Sequence, residues 1–256
     1  MNRYRALVAL LCAVVLASCD KNAVQEITGP LPTSRIKFFH FGVNAPGVNF
    51  YANTTKMTAT TSATGVESTT GVVYGGVGSG GLYSAIAPGP YTLSGKIAAT
   101  VDKDLAIANV NATIADGKAY SLYLSGFYNT TTKTVEGFVV EDNFPATIDF
   151  SQATVRFVNA ISNANPMTLY AKNTLTGTEV PVGAAVAYKA GGAFVTLPNG
   201  TYDLNARYTG GTANVITRTA VSFSAGRVYT IGARGDITIT STTATNRPFL
   251  DNTTNR

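Results

Sequence analysis

One stretch of this chain occurs twice, and that duplication limits the fold more than any other feature. Arg35-Ile-Lys-Phe-Phe-His-Phe-Gly-Val-Asn-Ala-Pro-Gly-Val-Asn-Phe-Tyr51 aligns with Thr154-Val-Arg-Phe-Val-Asn-Ala-Ile-Ser-Asn-Ala-Asn-Pro-Met-Thr-Leu-Tyr170. Further on, Pro88-Gly-Pro-Tyr-Thr-Leu93 aligns with Pro198-Asn-Gly-Thr-Tyr-Asp-Leu204, and Ile114-Ala-Asp-Gly-Lys-Ala-Tyr120 with Phe223-Ser-Ala-Gly-Arg-Val-Tyr229. Glu141-Asp142-Asn143 answers Leu250-Asp251-Asn252. The offsets run 119, 111, 109 and 109, so order is kept while loop length changes. The extra residues of the first copy fall in the Thr/Ser/Gly-rich stretch 54–71, read as an exposed loop. Each copy is therefore expected to be one folding unit.

The unit reads as strands. Only 13% of residues are charged, and Thr, Ala, Gly, Val and Tyr are abundant. Such β-branched and aromatic residues suit pleated, half-buried surfaces better than helices. Ile36, Phe38 and His40 alternate with Lys37, Phe39 and Phe41, so both faces of this strand are largely apolar, which predicts an inner strand and not an edge. Pro88-Gly89, Asn199-Gly200, Asp116-Gly117 and Ala225-Gly226 supply turns between strands. No stretch sustains a period of 3.6. The expected class is all-β, with two tandem Ig-like antiparallel β-sandwiches over residues 34–145 and 153–256, joined by a linker at 146–152.

The apolar-x-x-Gly-x-x-Tyr element places Tyr120 and Tyr229 just past a tight turn. It resembles the tyrosine corner of Ig-like sandwiches, whose hydroxyl bonds to upstream backbone. The order of apolar strand, Asn-Ala-Pro, Val-x-Phe-Tyr, Pro-Gly-x-Tyr-Thr-Leu, Gly-Lys-x-Tyr and closing Asp resembles the DUF4397 domain of bacterial envelope proteins. The likeness covers about residues 34–145 and 153–251, and departs from the pattern at Asn163-Ala-Asn-Pro166. It implies tandem domains behind an export signal, without implying an activity.

The N-terminus carries that signal. Arg3 and Arg5 precede an apolar run over residues 6–17, which is shorter than the roughly 20 residues a transmembrane helix needs. Leu16-Ala17-Ser18-Cys19 resembles the lipobox of bacterial lipoproteins. The resemblance implies cleavage between Ser18 and Cys19, a diacylglycerol on the Cys19 sulfur, and acylation (palmitate) of the new N-terminus. Two or more acyl chains anchor a protein stably where one is marginal. Residues 1–18 are then the signal peptide and 19–33 a lipidated start and polar tether. Cys12 leaves with the signal and Cys19 is blocked, so the mature chain has neither a free thiol nor a disulfide. The expected location is the cell envelope, on the periplasmic or cell-surface side. The outer membrane is favoured over the inner, although Asp20 leaves that choice open.

Several chemistries find no assembled motif. Net charge is +5, falling to +3 without Arg3 and Arg5, and the remaining cations are scattered, with no basic stripe for nucleic acid. Gly76-Val-Gly78-Ser-Gly-Gly81 fits a dinucleotide fingerprint but lacks the following helix, so it reads as a turn. Ser34-Arg-Ile-Lys37 matches an acylating pair, yet lies on a strand without its partner motifs. His40 is the sole histidine, has Asn159 at its equivalent position, and leaves neither a catalytic triad nor a zinc site. No catalytic, cofactor or metal residue is assigned. Calcium at the domain-end acids Glu141, Asp142 and Asp251 is an open alternative to turn hydrogen bonds. Tyr123 and Phe127 are expected on the strand face opposite Tyr120, Leu122 and Leu124, where rings turned to solvent would meet a glycan.

The leading functional expectation is a non-enzymatic envelope lipoprotein, held to the membrane by its lipid and acting as a structural or adhesive module toward a protein or glycan partner. The alternatives are a carbohydrate- or peptidoglycan-binding module and a hydrolase with a dispersed acidic site.

Overall fold

The computed structural model describes residues 31–59 and 65–255. The segment expected to be a signal peptide, the expected cleavage point between Ser18 and Cys19, the expected lipidation site at Cys19 and most of the expected tether lie outside the described residues. From Pro32 onward the chain forms one compact unit. Among the described residues no helix is long and apolar enough to cross a membrane.

The first copy contains β1 (Arg35–His40), β2 (Val48–Ala52), β3 (Thr55–Lys56), β4 (Ser84–Ala85), β5 (Gly89–Ile97), β6 (Ala106–Ile114), β7 (Ala119–Asn129) and β8 (Thr134–Glu141). They form two sheets in the orders β4-β1-β7-β8 and β3-β2-β5-β6. The second copy contains β9 (Gln152–Asn159), β10 (Met167–Asn173), β11 (Glu179–Pro181), β12 (Ala190–Gly191), β13 (Val195–Pro198), β14 (Gly200–Tyr208), β15 (Ile216–Phe223), β16 (Val228–Arg234) and β17 (Phe249–Thr254). Its sheets are β12-β9-β16-β17, with β13 also on β9, and β11-β10-β14-β15. The expected all-β pair of sandwiches is present. One detail differs from a purely antiparallel arrangement: β1 runs parallel to β7, and β9 parallel to β16.

Each sandwich closes over its own core. Ile36, Phe38, Phe50, Leu93, Leu122 and Leu124 fill the first, with the Phe38 and Phe50 rings stacked at 5.0 Å. Val155, Phe157, Leu169, Leu204 and Ile231 fill the second. Both tyrosine corners form: the Tyr120 hydroxyl accepts the Ala115 N–H at 3.2 Å, and the Tyr229 hydroxyl accepts that of Ser224 at 3.0 Å. These bonds satisfy turn amides that strand pairing leaves free.

A third cluster, Phe39, Phe41, Tyr123, Phe138, Val158 and Ala160, belongs to neither core. It draws on β1, β7 and β8 of the first sandwich and on β9 with its continuation in the second. The β4-β1-β7-β8 sheet therefore packs its outer face on the β12-β9-β16-β17 sheet of the neighbour. The doubly apolar pattern of β1 has this cause: Ile36 and Phe38 point into the first core, while Phe39 points into the joint between sandwiches. Burying each ring there contributes about 2–3 kcal/mol.

Candidate functional site at the joint between the sandwiches

Hydrogen-bond register identifies equivalent residues better than the sequence match does. Tyr120 pairs with Glu141 and Tyr229 with Thr254, so Glu141 corresponds to Thr254 and Asp142 to Asn255. The same backbone bond holds both: Asp142 N–H to Ala119 O and Asn255 N–H to Val228 O, each 2.7 Å. This corrects the expected equivalence of Asp142 with Asp251. The segment between β16 and β17 is longer than the β7–β8 turn, and a local Asp-Asn match conceals the shift.

With that register, the polar part of the joint has approximate two-fold symmetry. Lys37 on β1 and Arg156 on β9 occupy equivalent positions, and both are buried. Lys37 Nζ donates to Thr254 O at 3.0 Å and to Asn255 Oδ1 at 3.1 Å, in the other sandwich. Arg156 Nη1 donates to Glu141 O at 3.2 Å, and Nη2 to Asp142 Oδ1, in the reverse direction. Lys37 Nζ lies 4.4 Å from the Tyr83 ring centroid, and Arg156 Cζ lies 4.8 Å from that of Phe194. Tyr83 precedes β4 and Phe194 precedes β13, at equivalent places beside β1 and β9. Ser121 Oγ donates to Asp142 Oδ2 at 2.7 Å; its equivalent, Thr230, accepts from Asn255 Nδ2 at 2.7 Å.

The two halves differ in charge. Arg156 faces a carboxylate and Lys37 faces an amide, so two buried cations share one acid. Burial, reinforced by Arg156 and Arg35 and opposed by Asp142, lowers the Lys37 pKa to about 8. The Tyr83 hydroxyl donates to Asp142 Oδ2 at 2.5 Å, and burial followed by the Asp142 charge drives its pKa upward. Asp142 thus accepts from Arg156 on Oδ1 and from Tyr83 and Ser121 on Oδ2. The arrangement clamps two sheets.

Two clefts flank the clamp. One, of about 800 Å³, runs from Gly80-Gly81-Leu82-Tyr83 to Thr254 and Asn255. The other, of about 360 Å³, runs from Gly191-Gly192-Ala193-Phe194 to Glu141 and Asn143. The glycine-rich segment that fits a dinucleotide fingerprint is the wall of the first cleft. Gly78–Gly81 makes a short turn with Ser79 and Gly80 at positive φ, and extended backbone follows.

The sequence-based site residues are dispersed. Tyr123 is fully buried, stacked 4.4 Å from Phe39 and 5.1 Å from Phe138. Phe127 lies outside that cluster at 43% exposure. The expected pair of solvent-facing rings is therefore not formed, because the second sandwich covers Tyr123 and the β7–β8 register slips between Ser125 and Asn129. His40 is buried, with Nε2 2.9 Å from Pro46 O, and burial lowers its pKa. Of the domain-end acids, Asp142 faces Arg156 and Asp251 faces Arg234. Among the described residues no three His, Cys, Asp or Glu side chains group as a metal site would require. Sequence reasoning missed Lys37 and Arg156 as partners in one network. The signal was a cation recurring at the same place on a doubly apolar strand.

Comparison with curated proteins finds no match. Among solved structures, the Bacillus anthracis TIE protein is similar at 15% identity and a TM-score of 0.24. The match covers 78% of this chain and 32% of that one, so this chain spans about a third of that protein. Residues 34–170 and 153–256 match the family described as "Domain of unknown function (DUF4397)". The chain belongs to the DUF4397 family, in two tandem copies.

Proposed function

We propose that this chain is a non-enzymatic lipoprotein of the cell envelope, lipidated at Cys19 and carrying a rigid two-sandwich body as a structural or adhesive module. The observation that carries the reading is the joint itself. Lys37, Asp142, Arg156 and Tyr83 are used in holding two sheets together, which suits a body that presents surfaces to a partner. The lipobox-like tetrapeptide, with the polar tether after it, supports the anchor. Exposed apolar side chains such as Phe150 and Leu175 offer contact points on that body.

The anchor and the module are tested in the same cells. Globomycin should cause a larger precursor to accumulate, and Cys19→Ser should release the chain from the membrane fraction; unchanged migration and fractionation would refute the anchor. A photo-cross-linking residue at position 150 or 175 should yield an adduct with one defined envelope component. A chain that gives no adduct from either position would count against the module.

A second reading, a carbohydrate- or peptidoglycan-binding module, is favoured by a hydroxyl-rich groove on the second sandwich.

A further inference from the structure

Three arginines distant in sequence gather around one ring. The Cζ atoms of Arg218, Arg234 and Arg247 lie 5.2, 5.2 and 5.3 Å from the Phe249 ring centroid. Arg234 is neutralised by Asp251, with Nε 2.5 Å from Oδ2. Arg218 gives one N–H to Leu250 O at 2.7 Å, and Arg247 gives one to Ala244 O at 3.0 Å. Among the described residues neither of these two forms a salt bridge of its own, and the Asp251 carboxylate, whose charge also acts on Arg218, is taken up by Arg234. Like charges held this close repel unless an anion or solvent compensates them.

Arg218, Arg247 and Phe249 line a groove of about 610 Å³ between β15 and residues 237–242. No acidic side chain lines it. Thr219, Thr240 and Thr242 also line it, and Ile239 adds an apolar strip. Those three threonine hydroxyls make no hydrogen bond to protein among the described residues.

Local structure builds both walls. In β15 an extra residue opposes β14 between Arg218 and Val221, with Ala220 at φ 56° and its N–H held by Asp203 Oδ1 at 3.0 Å. Such a bulge twists an edge strand and re-aims its side chains. The opposite wall is pinned by Asp236 Oδ1, which accepts from Thr238 N–H at 3.0 Å, Thr238 Oγ1 at 2.7 Å and Asn163 Nδ2 at 2.8 Å. The first sandwich has only a short turn between β7 and β8, so this groove belongs to the second copy alone.

We propose that this groove binds a carboxylate-bearing saccharide. Guanidinium forks match a planar carboxylate in two parallel hydrogen bonds. The unpaired threonine hydroxyls suit ring hydroxyls, and Phe249 with Ile239 suits the apolar face of a pyranose. The proposal rests on the carbohydrate reading and adds the ligand class and the site.

Calorimetric titration of the full chain tests it, with trigalacturonate, its fully methyl-esterified counterpart and inorganic phosphate as probes. Trigalacturonate should bind saturably, and esterification should weaken it by at least about tenfold, since a charge-assisted bidentate contact is lost. Arg218→Gln and Arg247→Gln should each weaken it by about tenfold, while Lys103→Gln, an exposed cation elsewhere, leaves it unchanged. Thr240→Val keeps the test independent of the Leu250 contact and should also weaken binding. Equal affinity for acid and ester, arginine variants that bind like the parent, or phosphate competing as strongly as trigalacturonate would each overturn the proposal. Neutral-glycan binding untouched by Arg247→Gln would remove this groove and leave the carbohydrate reading standing; no saccharide binding at all would remove both.

Discussion

Replacing Asp142 with asparagine makes the two halves of the buried network alike and removes the acid that Lys37 and Arg156 share. The introduced amide keeps an oxygen for Tyr83 and Ser121 but turns its NH2 toward Arg156 Nη2, so the Arg156 hydrogen bond is lost together with the charge. Lys37 and Arg156 then remain as two buried cations without a counter-charge; the Arg156 and Asp142 side chains are 2% and 0% exposed. Removing one member of a buried pair costs about 3–5 kcal/mol, mainly because the other charge stays behind unpaired. For a chain of this size that lowers the thermal midpoint by about 6–20 °C. The assay is urea denaturation at pH 7, followed by circular dichroism and tyrosine emission. Asp142→Asn with Arg156→Met removes both charges and should recover most of the loss, giving a coupling energy above about 2 kcal/mol. A single variant that loses under about 1 kcal/mol, or a double variant no more stable than the single, would refute the clamp.

The lowered pKa of Lys37 gives stability an unusual slope. Above about pH 8 the folded chain has released a proton that the unfolded chain keeps until 10.5, so stability should rise by roughly 1 kcal/mol per pH unit up to about pH 9.5. Beyond that, buried tyrosines with raised pKa values reverse it; Lys37→Met should be flat in the same window when followed by pH-dependent urea unfolding. His40, whose folded pKa is depressed, should cost stability as pH falls below 6.5, and His40→Asn should abolish that loss in acid titrations. Gly232→Ala brings a Cβ to 2.9 Å from a ring carbon of Phe41, and its unfolding free energy should fall by about 1–3 kcal/mol. Tyr229→Phe leaves the Ser224 amide without its acceptor and should cost about 1–2 kcal/mol by the same measurement.

Much of the architecture was legible because its signals are local. Turn dipeptides and strand alternation mark the β-strands, and the Gly-x-x-Tyr spacing foretells both corners. The joint was half legible. The alternation in β1 announces that Lys37 and Phe39 are covered, but alternation says only that a face is buried, not what buries it. Tyr123 shows the cost of that gap: its position on the outer sheet face is as expected, and a whole second sandwich lies upon it. The arginine cluster was illegible for another reason. Arg218, Arg234 and Arg247 look scattered along the chain, and only the pairing of β16 with β17, beside β15, brings them to one ring.

The departures from symmetry in the joint have a common consequence. The first sandwich presents Phe39, Phe41 and Tyr123. The equivalent residues of the second are Val158, Ala160 and Gly232, and a Phe41 ring carbon would lie 2.9 Å from a Cβ at Gly232. Two first sandwiches meeting through these faces would set ring against ring, whereas large against small interlocks. Two second sandwiches escape that clash but would bury Arg156 twice opposite Asn255, with no carboxylate for either. A mixed pair alone combines steric fit with a partner for the guanidinium. Bulk therefore excludes one wrong pairing and charge excludes the other, as specificity against near-identical competitors requires. Joining the copies in one chain makes the correct partner the nearest one. The two devices together discourage a domain from docking on the wrong domain of a neighbouring chain, a hazard wherever many copies of a duplicated protein crowd one surface.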